Sequence, residues 1–356
     1  MKNKIQSAQI VVPCENLNKT LEFFTENLGF RLEKIFPADS PTVAVIFGYG
    51  VALHLEESDE IYPLTLNLYG DFVDFPNEIF APDGLRICLI DEKSTLEIPE
   101  STNEFAVSTP EGENVWQEGR AGMRYRDLIP SRLGGRFIAS HICIPDGGEV
   151  PDYVHFHKIR FQMIYCLSGW ARLVYEDQGE SFVMKAGDCV LQPPEIRHRV
   201  LESSAKLEVL EIGCPAVHET FADHQLKLPN ETVAPKRIFG GQRFVHHIAE
   251  KEVWESSTFE GFEESETGIS EATKGLADVR TFRANADTNF SVKHSGEFLF
   301  FFILKGNLRL SDSEGKIYHL EKSANFVLPS GEEYFIEATQ GLEMVRVSLP
   351  AFNVRQ

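Results

Sequence analysis

The sequence predicts a mostly β protein: a small α+β module at residues 1–95, then two tandem antiparallel β-barrels at 110–215 and 252–356, joined by a connection at 216–251. Three observations carry this reading. Trp116 and Trp254, His157 and His294, Gly169 and Gly306, and Pro193 and Pro329 are 138, 137, 137 and 136 residues apart, and so steady an offset signals duplication. Each copy is a series of short apolar runs broken by Gly, Pro and charged turns, the pattern of barrels or sandwiches. Helical periodicity is confined to one stretch near the start.

Residues 7–13 read as a strand and residues 16–29 as an amphipathic helix. Asn16 can cap that helix, Leu17, Leu21, Phe24 and Leu28 share its apolar face, and Gly29 stops it. Strand-like runs follow at 42–47 and 51–55, giving the order β-α-β-β-β. The Gln9-Ile-Val-Val-Pro strand, the helix ending Leu28-Gly29-Phe30 and the Ala81-Pro-Asp-Gly-Leu turn together resemble the glyoxalase/bleomycin-resistance, or vicinal oxygen chelate, superfamily. The resemblance implies metal ligands at Gln9, His54 and Cys88. Cys88 stands where that superfamily has Glu, and the second repeat has no helix between Tyr69 and Phe80, so the reading favours a module without a metal of its own.

In the first barrel, strands are expected at 136–144, 162–168, 171–176, 181–184, 189–192 and 207–212. The connection, with Pro229 and Pro235, is expected to hold one more strand at 243–248 that packs across the barrels.

His155-Phe-His157 puts two imidazoles at i and i+2, on one face of a strand and at a spacing two ligands of one metal can use. Gln162, Gly169, Gly187, Pro193 and His198 follow at fixed intervals. The run resembles the cupin superfamily, whose two motifs, G-x5-H-x-H-x3-4-E-x6-G and G-x5-P-x-G-x2-H-x3-N, are matched at His155, His157, Gly169, Gly187, Pro193 and His198. Gln162 stands for the usual Glu, Glu195 for Gly and Glu202 for Asn, and one extra residue follows Gly148. The resemblance implies two double-stranded β-helix barrels and one divalent ion held by His155, His157, Gln162 and His198, with Fe2+ favoured and Mn2+, Ni2+ or Zn2+ as alternatives.

The third region is an internal control. Val292 stands where His155 was, His294 where His157 was, Leu299 where Gln162 was and Tyr334 where His198 was, so the second barrel should be degenerate. The apolar run at 298–304 then reads as core or barrel–barrel interface. In the first barrel, three neutral imidazoles and a neutral amide would leave a divalent ion its full charge, which favours an anionic or bidentate oxygen ligand. Strand parity puts Tyr153 on the face of His155 and His157, as a candidate pocket donor or acid, or as an aromatic packed at the mouth. Arg197 and Arg199 should face away, Arg160 should form a surface ion pair or reach a substrate carboxylate, and histidines 218, 224, 246 and 247 should be unrelated to the site.

The chain carries a formal charge of −20 at pH 7, which opposes binding to nucleic acid or to an anionic membrane. Its longest apolar run, 298–304, is far short of the ~20 residues of a membrane span. Behind Lys2 and Lys4 the only early apolar stretch is 10–14, too short for a secretory signal, and the six cysteines form no C-x-x-C pair. A cytoplasmic protein with reduced thiols is expected. By resemblance the function is that of a small-molecule dioxygenase on an anionic or enolisable metabolite, with a Lewis-acid isomerase or lyase on a uronate-like acid and a non-enzymatic metabolite-binding protein as alternatives. Cupin barrels commonly pair, which admits a homodimer.

Overall fold

The computed structural model describes residues 6–37, 39–72, 74–91, 96–110, 116–119 and 122–351, so Lys2 and Lys4 lie outside the described residues. The chain divides into two units, Met1–Thr95 and Leu96–Gln356.

The first unit has the expected β-α-β-β-β order: β1 (Ile10–Cys14), α1 (Leu17–Glu22), β2 (Arg31–Phe36), β3 (Val43–Gly48) and β4 (Val51–Glu57), then β5 (Thr65–Gly70), β6 (Glu78–Phe80) and β7 (Arg86–Asp91). Asn16 caps α1 by accepting the Lys19 amide (3.0 Å). The helix is shorter than its apolar periodicity suggested, because residues Phe23–Asn27 widen into a π-helical turn before Gly29 leaves at a φ of 71°. The sheets run β1-β4-β3-β2 and β5-β7-β6, and Val12, Leu17, Phe24, Ile46 and Leu55 lie in their shared core.

The second unit is two β-sandwiches, and its strands fall in this order: β8 (Ala106–Ser108), β9 (Gln117–Glu118), β10 (Arg124–Asp127), β11 (Ile138–Ile144), β12 (Gly148–Glu149), β13 (His155–His157), β14 (Phe161–Ser168), β15 (Trp170–Tyr175), β16 (Phe182–Lys185), β17 (Cys189–Leu191), β18 (His198–Ser203), β19 (Leu207–Cys214) and β20 (Thr220–Ala222). After them come β21 (Ile238–Phe239), β22 (Gln242–Arg243), β23 (Val245–His247), β24 (Glu255–Ser256), β25 (Phe262–Glu266), β26 (Asp278–Ala284), β27 (Thr288–Lys293), β28 (Phe298–Lys305), β29 (Asn307–Ser311), β30 (Ile317–Glu321), β31 (Asn325–Val327), β32 (Glu333–Ala338) and β33 (Glu343–Leu349). The first sandwich has sheets β23-β17-β14-β19-β11-β10-β9 and β16-β15-β18-β13-β20. The second has β8-β31-β28-β33-β26-β25-β24 and β27-β32-β29-β30.

Those two large sheets have one strand order written twice, the duplication the landmark residues announced. The copies also exchange edges. β8 precedes the first sandwich yet pairs with β31 of the second, while β23 precedes the second and pairs with β17 of the first. Each arm covers a row of backbone groups that would otherwise be an open sheet edge. The expected strand at 243–248 is therefore real, but it is an edge strand of the first sandwich.

Alternation along β14 and β28 decides what lies between the sandwiches. Phe161, Met163 and Tyr165 join Phe298, Phe300 and Phe302 in one cluster, where the rings of Phe137 and Phe298 stack with centroids 4.1 Å apart. The alternate residues Leu299, Phe301 and Ile303 turn into the second sandwich, whose interior is filled by Phe259, Phe282, Phe290 and Phe326. The 298–304 run is thus core on one face and interface on the other. Arg160 and Arg136 both pair with Glu297 across that boundary, with Arg160 Nη1 at 2.8 Å.

Phe301→Ala should cost about 3–5 kcal/mol, because it opens a cavity in a packed phenylalanine cluster. Arg309→Ala, which removes an exposed ion pair with Glu337, should change stability by less than about 1 kcal/mol. Denaturant unfolding of the two variants checks both, and equal effects would contradict a packed second interior.

Candidate metal centre

β13 turns His155 and His157 to one face, since side chains two apart on a strand share a side. His155 lies opposite His198 of β18, and His157 opposite Thr220 of β20. One ring nitrogen from each of His155, His157 and His198 lies within 4.8 Å of the other two.

Each ring is oriented from behind. His155 Nδ1 donates to the Tyr153 carbonyl (2.8 Å), His198 Nδ1 donates to the Ile196 carbonyl (2.9 Å), and His157 Nδ1 pairs with the Thr220 hydroxyl (2.8 Å). A carbonyl can only accept, so the proton of His155 and of His198 sits on Nδ1 and Nε2 is the basic nitrogen. Asp152, buried, has a carboxylate oxygen 3.6 Å from His155 Nδ1 and accepts the Val200 amide at 3.0 Å. Basic nitrogens held this close, with acceptors fixing the far side of each ring, fit a divalent cation.

Gln162 is buried on β14 and its amide nitrogen donates to Glu211 Oε1 of β19 at 2.5 Å. That bond orients the amide and leaves its carbonyl oxygen as the end able to ligate. Gln192 is fixed in the same way: it accepts the Tyr175 hydroxyl on Oε1 (2.6 Å) and donates from Nε2 to His198 Nε2 (3.4 Å). Burial pushes the Tyr175 phenol far above its ordinary range, so it remains a hydrogen-bond donor.

These groups lie at one cavity of ≈ 260 Å³ inside the first sandwich. Ile142, Ile144, Leu173, Met184, Leu207 and Val209 are among its aliphatic walls. Burial pushes the Cys166 thiol up to about 12, so this neighbour of the cavity stays protonated. All six cysteines are free.

The structure corrects two expectations. Glu211 restores a negative charge beside Gln162, so the donor set does not leave a bound ion with an uncompensated double charge. Sequence reasoning missed it, although Leu207, Val209 and Glu211 share the face of β19 that lines the cavity, and a carboxylate continuing an apolar stripe is a parity signal. His218 also lines the cavity, its ring centroid 5.3 Å from that of His157, because β20 pairs with β13 and brings the connection back over the site. It stays outside the 4.8 Å ligand cluster.

Tyr153 is half exposed, its ring is edge-on to His155 at 5.8 Å, and it is not among the residues lining the cavity. Its contact with the site is the main-chain carbonyl that holds His155. Arg197 faces away, over the Phe156 ring and beside Asp223. His141 bonds Glu208 (2.9 Å) and Arg126 (3.3 Å), away from the cavity.

In the second sandwich Val292 faces Tyr334 in the register that His155 and His198 hold in the first, Leu299 is fully buried, and His294 Nε2 donates to the Leu328 carbonyl (2.7 Å). In the first unit His54 Nδ1 and Gln9 Oε1 pair at 3.3 Å, and Cys88 lies on β7. Among the described residues, three His, Cys, Asp or Glu donors converge only at His155, His157 and His198.

Residues 140–213 match the family model described as "Cupin domain". No curated protein matches the chain by sequence. Among solved structures, the protein Ylba from E. coli is similar with a TM-score of 0.52 at 14% identity, over 74% of this chain and 97% of that one. A salicylate 1,2-dioxygenase from Pseudaminobacter salicylatoxidans aligns with a TM-score of 0.53 at 16% identity, over 70% and 86% of the two chains. A mutant form of Bacillus subtilis oxalate decarboxylase aligns with a TM-score of 0.51 at 13% identity, over 70% and 78%. These likenesses establish a mostly β fold of the cupin type. No helix among the described residues is long and apolar enough to cross a membrane.

His155→Ala and His198→Ala should each abolish stoichiometric binding of a divalent ion, and Glu211→Ala should weaken it by about 10–100-fold. His294→Ala and Tyr334→Phe should leave it unchanged. Elemental analysis and metal titration of the folded variants test this, and loss of the ion on His294→Ala would mean that the second sandwich contributes to the site.

Proposed function

We propose that the first sandwich is the active site of a metal-dependent enzyme acting on a small oxygenated, enolisable metabolite, with dioxygen as co-reactant. The observation that carries this reading is the convergence of three imidazoles, with the hydrogen-bonded amide of Gln162, on one mostly apolar cavity. His155, His157, His198 and Gln162 would hold the ion, Fe2+ being the first candidate. When bound it supplies Lewis acidity toward substrate oxygens and, for iron, a redox couple that dioxygen can use.

The chain's own groups do the rest. The Tyr153 and Ile196 carbonyls keep His155 and His198 in ligating tautomers and the Thr220 hydroxyl orients His157, so little reorganisation would accompany binding. Gln192 Nε2 lies 3.4 Å from His198 Nε2, and with the lone pair of that nitrogen taken up by an ion the amide hydrogen would be free for a substrate oxygen. The aliphatic walls would lie against the apolar part of a bound substrate and lower the polarity around its reacting atoms. Tyr153 is retained in this reading as a positioning residue, through its carbonyl. The fold neighbours whose names include a dioxygenase and a decarboxylase support enzymatic chemistry at this coarse level.

Protein reloaded with Fe2+ should consume dioxygen stoichiometrically with one member of a panel of enolisable carbonyl compounds, and His157→Ala should abolish the uptake. Equal turnover under anaerobic conditions would replace the oxygenase by a Lewis-acid isomerase or lyase. Tight binding without turnover would make the chain a metabolite-binding protein.

A further inference from the structure

We infer that the ligand of this cavity is uncharged in solution and bears no carboxylate, with a largely apolar body and one adjacent pair of chelating oxygens. The inference rests on the metal-site reading above and narrows its substrate class.

The charge census of the cavity carries the argument. Among the described residues that line it, none is Lys or Arg, and Glu211 is the one acidic side chain. The basic groups close by in sequence are directed elsewhere: Lys158 pairs with Glu219 at 3.8 Å, Arg160 with Glu297 at 2.8 Å, Arg197 with Asp223 at 3.4 Å and Arg172 with Glu202 at 3.4 Å, while Arg199 follows His198 on β18 and takes the opposite face of the strand. A ligand carboxylate away from the metal would therefore be buried without a Lys or Arg partner and within the field of Glu211, and a poorly paired buried charge is strongly disfavoured. Besides the ion, which already needs the two chelating oxygens, the one lining group outside the ligand cluster that could carry positive charge is His218, whose Nδ1 is already committed to the Pro215 carbonyl (3.1 Å).

The walls supply the complementary preference. Ile142, Ile144, Leu173, Met184, Leu207 and Val209 offer aliphatic surface and no hydrogen bonds, so a polyhydroxylated sugar acid would leave its hydroxyls unsatisfied against them. Gln162, Gln192 and Glu211 lie with the histidines, Ser140 stands opposite Glu211 in register, the Tyr175 hydroxyl is spent on Gln192, and the Tyr125 hydroxyl turns to the Met123 sulfur (3.4 Å). Glu211 accepts the Gln162 amide and, as a carboxylate, can also accept a ligand hydroxyl, whereas it repels a second carboxylate. The cavity is polar at its metal-binding groups and greasy elsewhere, and its ligand should match.

Three hydroxypyrones test this, because they share one chelating oxygen pair and differ in what is attached: maltol, ethylmaltol and the carboxylated comenic acid. Protein is first titrated with Co2+ alone, and each compound is then followed by the change in the Co2+ visible spectrum and by calorimetry. Ethylmaltol should bind at least tenfold more tightly than comenic acid, and up to about fourfold more tightly than maltol for its added methylene. Glu211→Gln should narrow the gap to comenic acid, and Met184→Lys should narrow or invert it by adding the missing cation. Comenic acid binding as tightly as ethylmaltol in the unmodified protein would overturn the inference, as would failure of both neutral chelators to bind once Co2+ is in place. Failure of Co2+ itself to bind is a separate result, and it would remove the metal-site reading.

Discussion

The site depends on one strand register: His155 of β13 directly opposite His198 of β18. A slip by one residue would turn both imidazoles to the other face of the sheet and scatter the cluster. Several contacts pin that register. Gly148 and Glu149 pair with Ser203 and Glu202 just beyond it, the Val150 amide donates to the Leu201 carbonyl (3.0 Å), and Asp152 takes the Val200 amide. The carbonyls of Tyr153 and Ile196, each two residues before the strand that carries its histidine, then fix the ring tautomers. The three imidazoles thus sit on paired strands, and the turns leading into those strands orient the rings.

The second sandwich separates what the fold requires from what the chemistry requires. It keeps the strand order, the Val292–Tyr334 register and the edge strand borrowed from the other half. What changed is the filling. Phenylalanines occupy its interior, and Arg346 stands opposite Phe301 in the register that Glu211 and Ile164 hold in the first sandwich. Burial pushes the Arg346 guanidinium down, and its partner Asp278 at 2.7 Å is equally buried. One copy thus holds a carboxylate beside a ligand set, and the other closes the equivalent region with an internal ion pair. The shared phenylalanine interface gives β14 a rigid back, because Phe161, Met163 and Tyr165 are locked into it while Gln162 and Ile164 face the cavity.

Much of this was legible in the sequence, and the failures have a common physical origin. Motif spacing, strand parity and a constant repeat offset are local or one-dimensional quantities, and they found the triad, Gln162, the duplicated fold and the emptied second copy. Glu211 and His218 are tertiary. Glu211 becomes a partner of Gln162 only through the β14–β19 pairing, and His218 arrives because β20 folds back onto β13. A strand at 243–248 was legible, but its pairing with β17, and the whole of β8, were not, because each is a three-residue strand whose partner lies more than fifty residues away. Tyr153 shows the limit of parity, which named the right residue for a side-chain role while the structure uses its carbonyl.

The placement of Glu211 also bears on why Gln stands at position 162. A carboxylate ligating directly would lower the charge of the centre and fill one coordination position with an anion. A carboxylate one hydrogen bond further out keeps the total charge the same but leaves a neutral oxygen in the ligand set, so the ion retains more of its attraction for an incoming oxygen pair. At the same time Glu211 projects its negative charge into the cavity rather than onto the metal alone. In the proposed metal centre the two effects would act on different parts of a ligand: the ion would strengthen its hold on chelating oxygens, while the carboxylate would penalise any further anionic group. Selectivity would then come from an outer hydrogen bond, and changing Gln162 to Glu would not restore a simple histidine–carboxylate set but would press two carboxylates together across the 2.5 Å contact that now joins amide to acid.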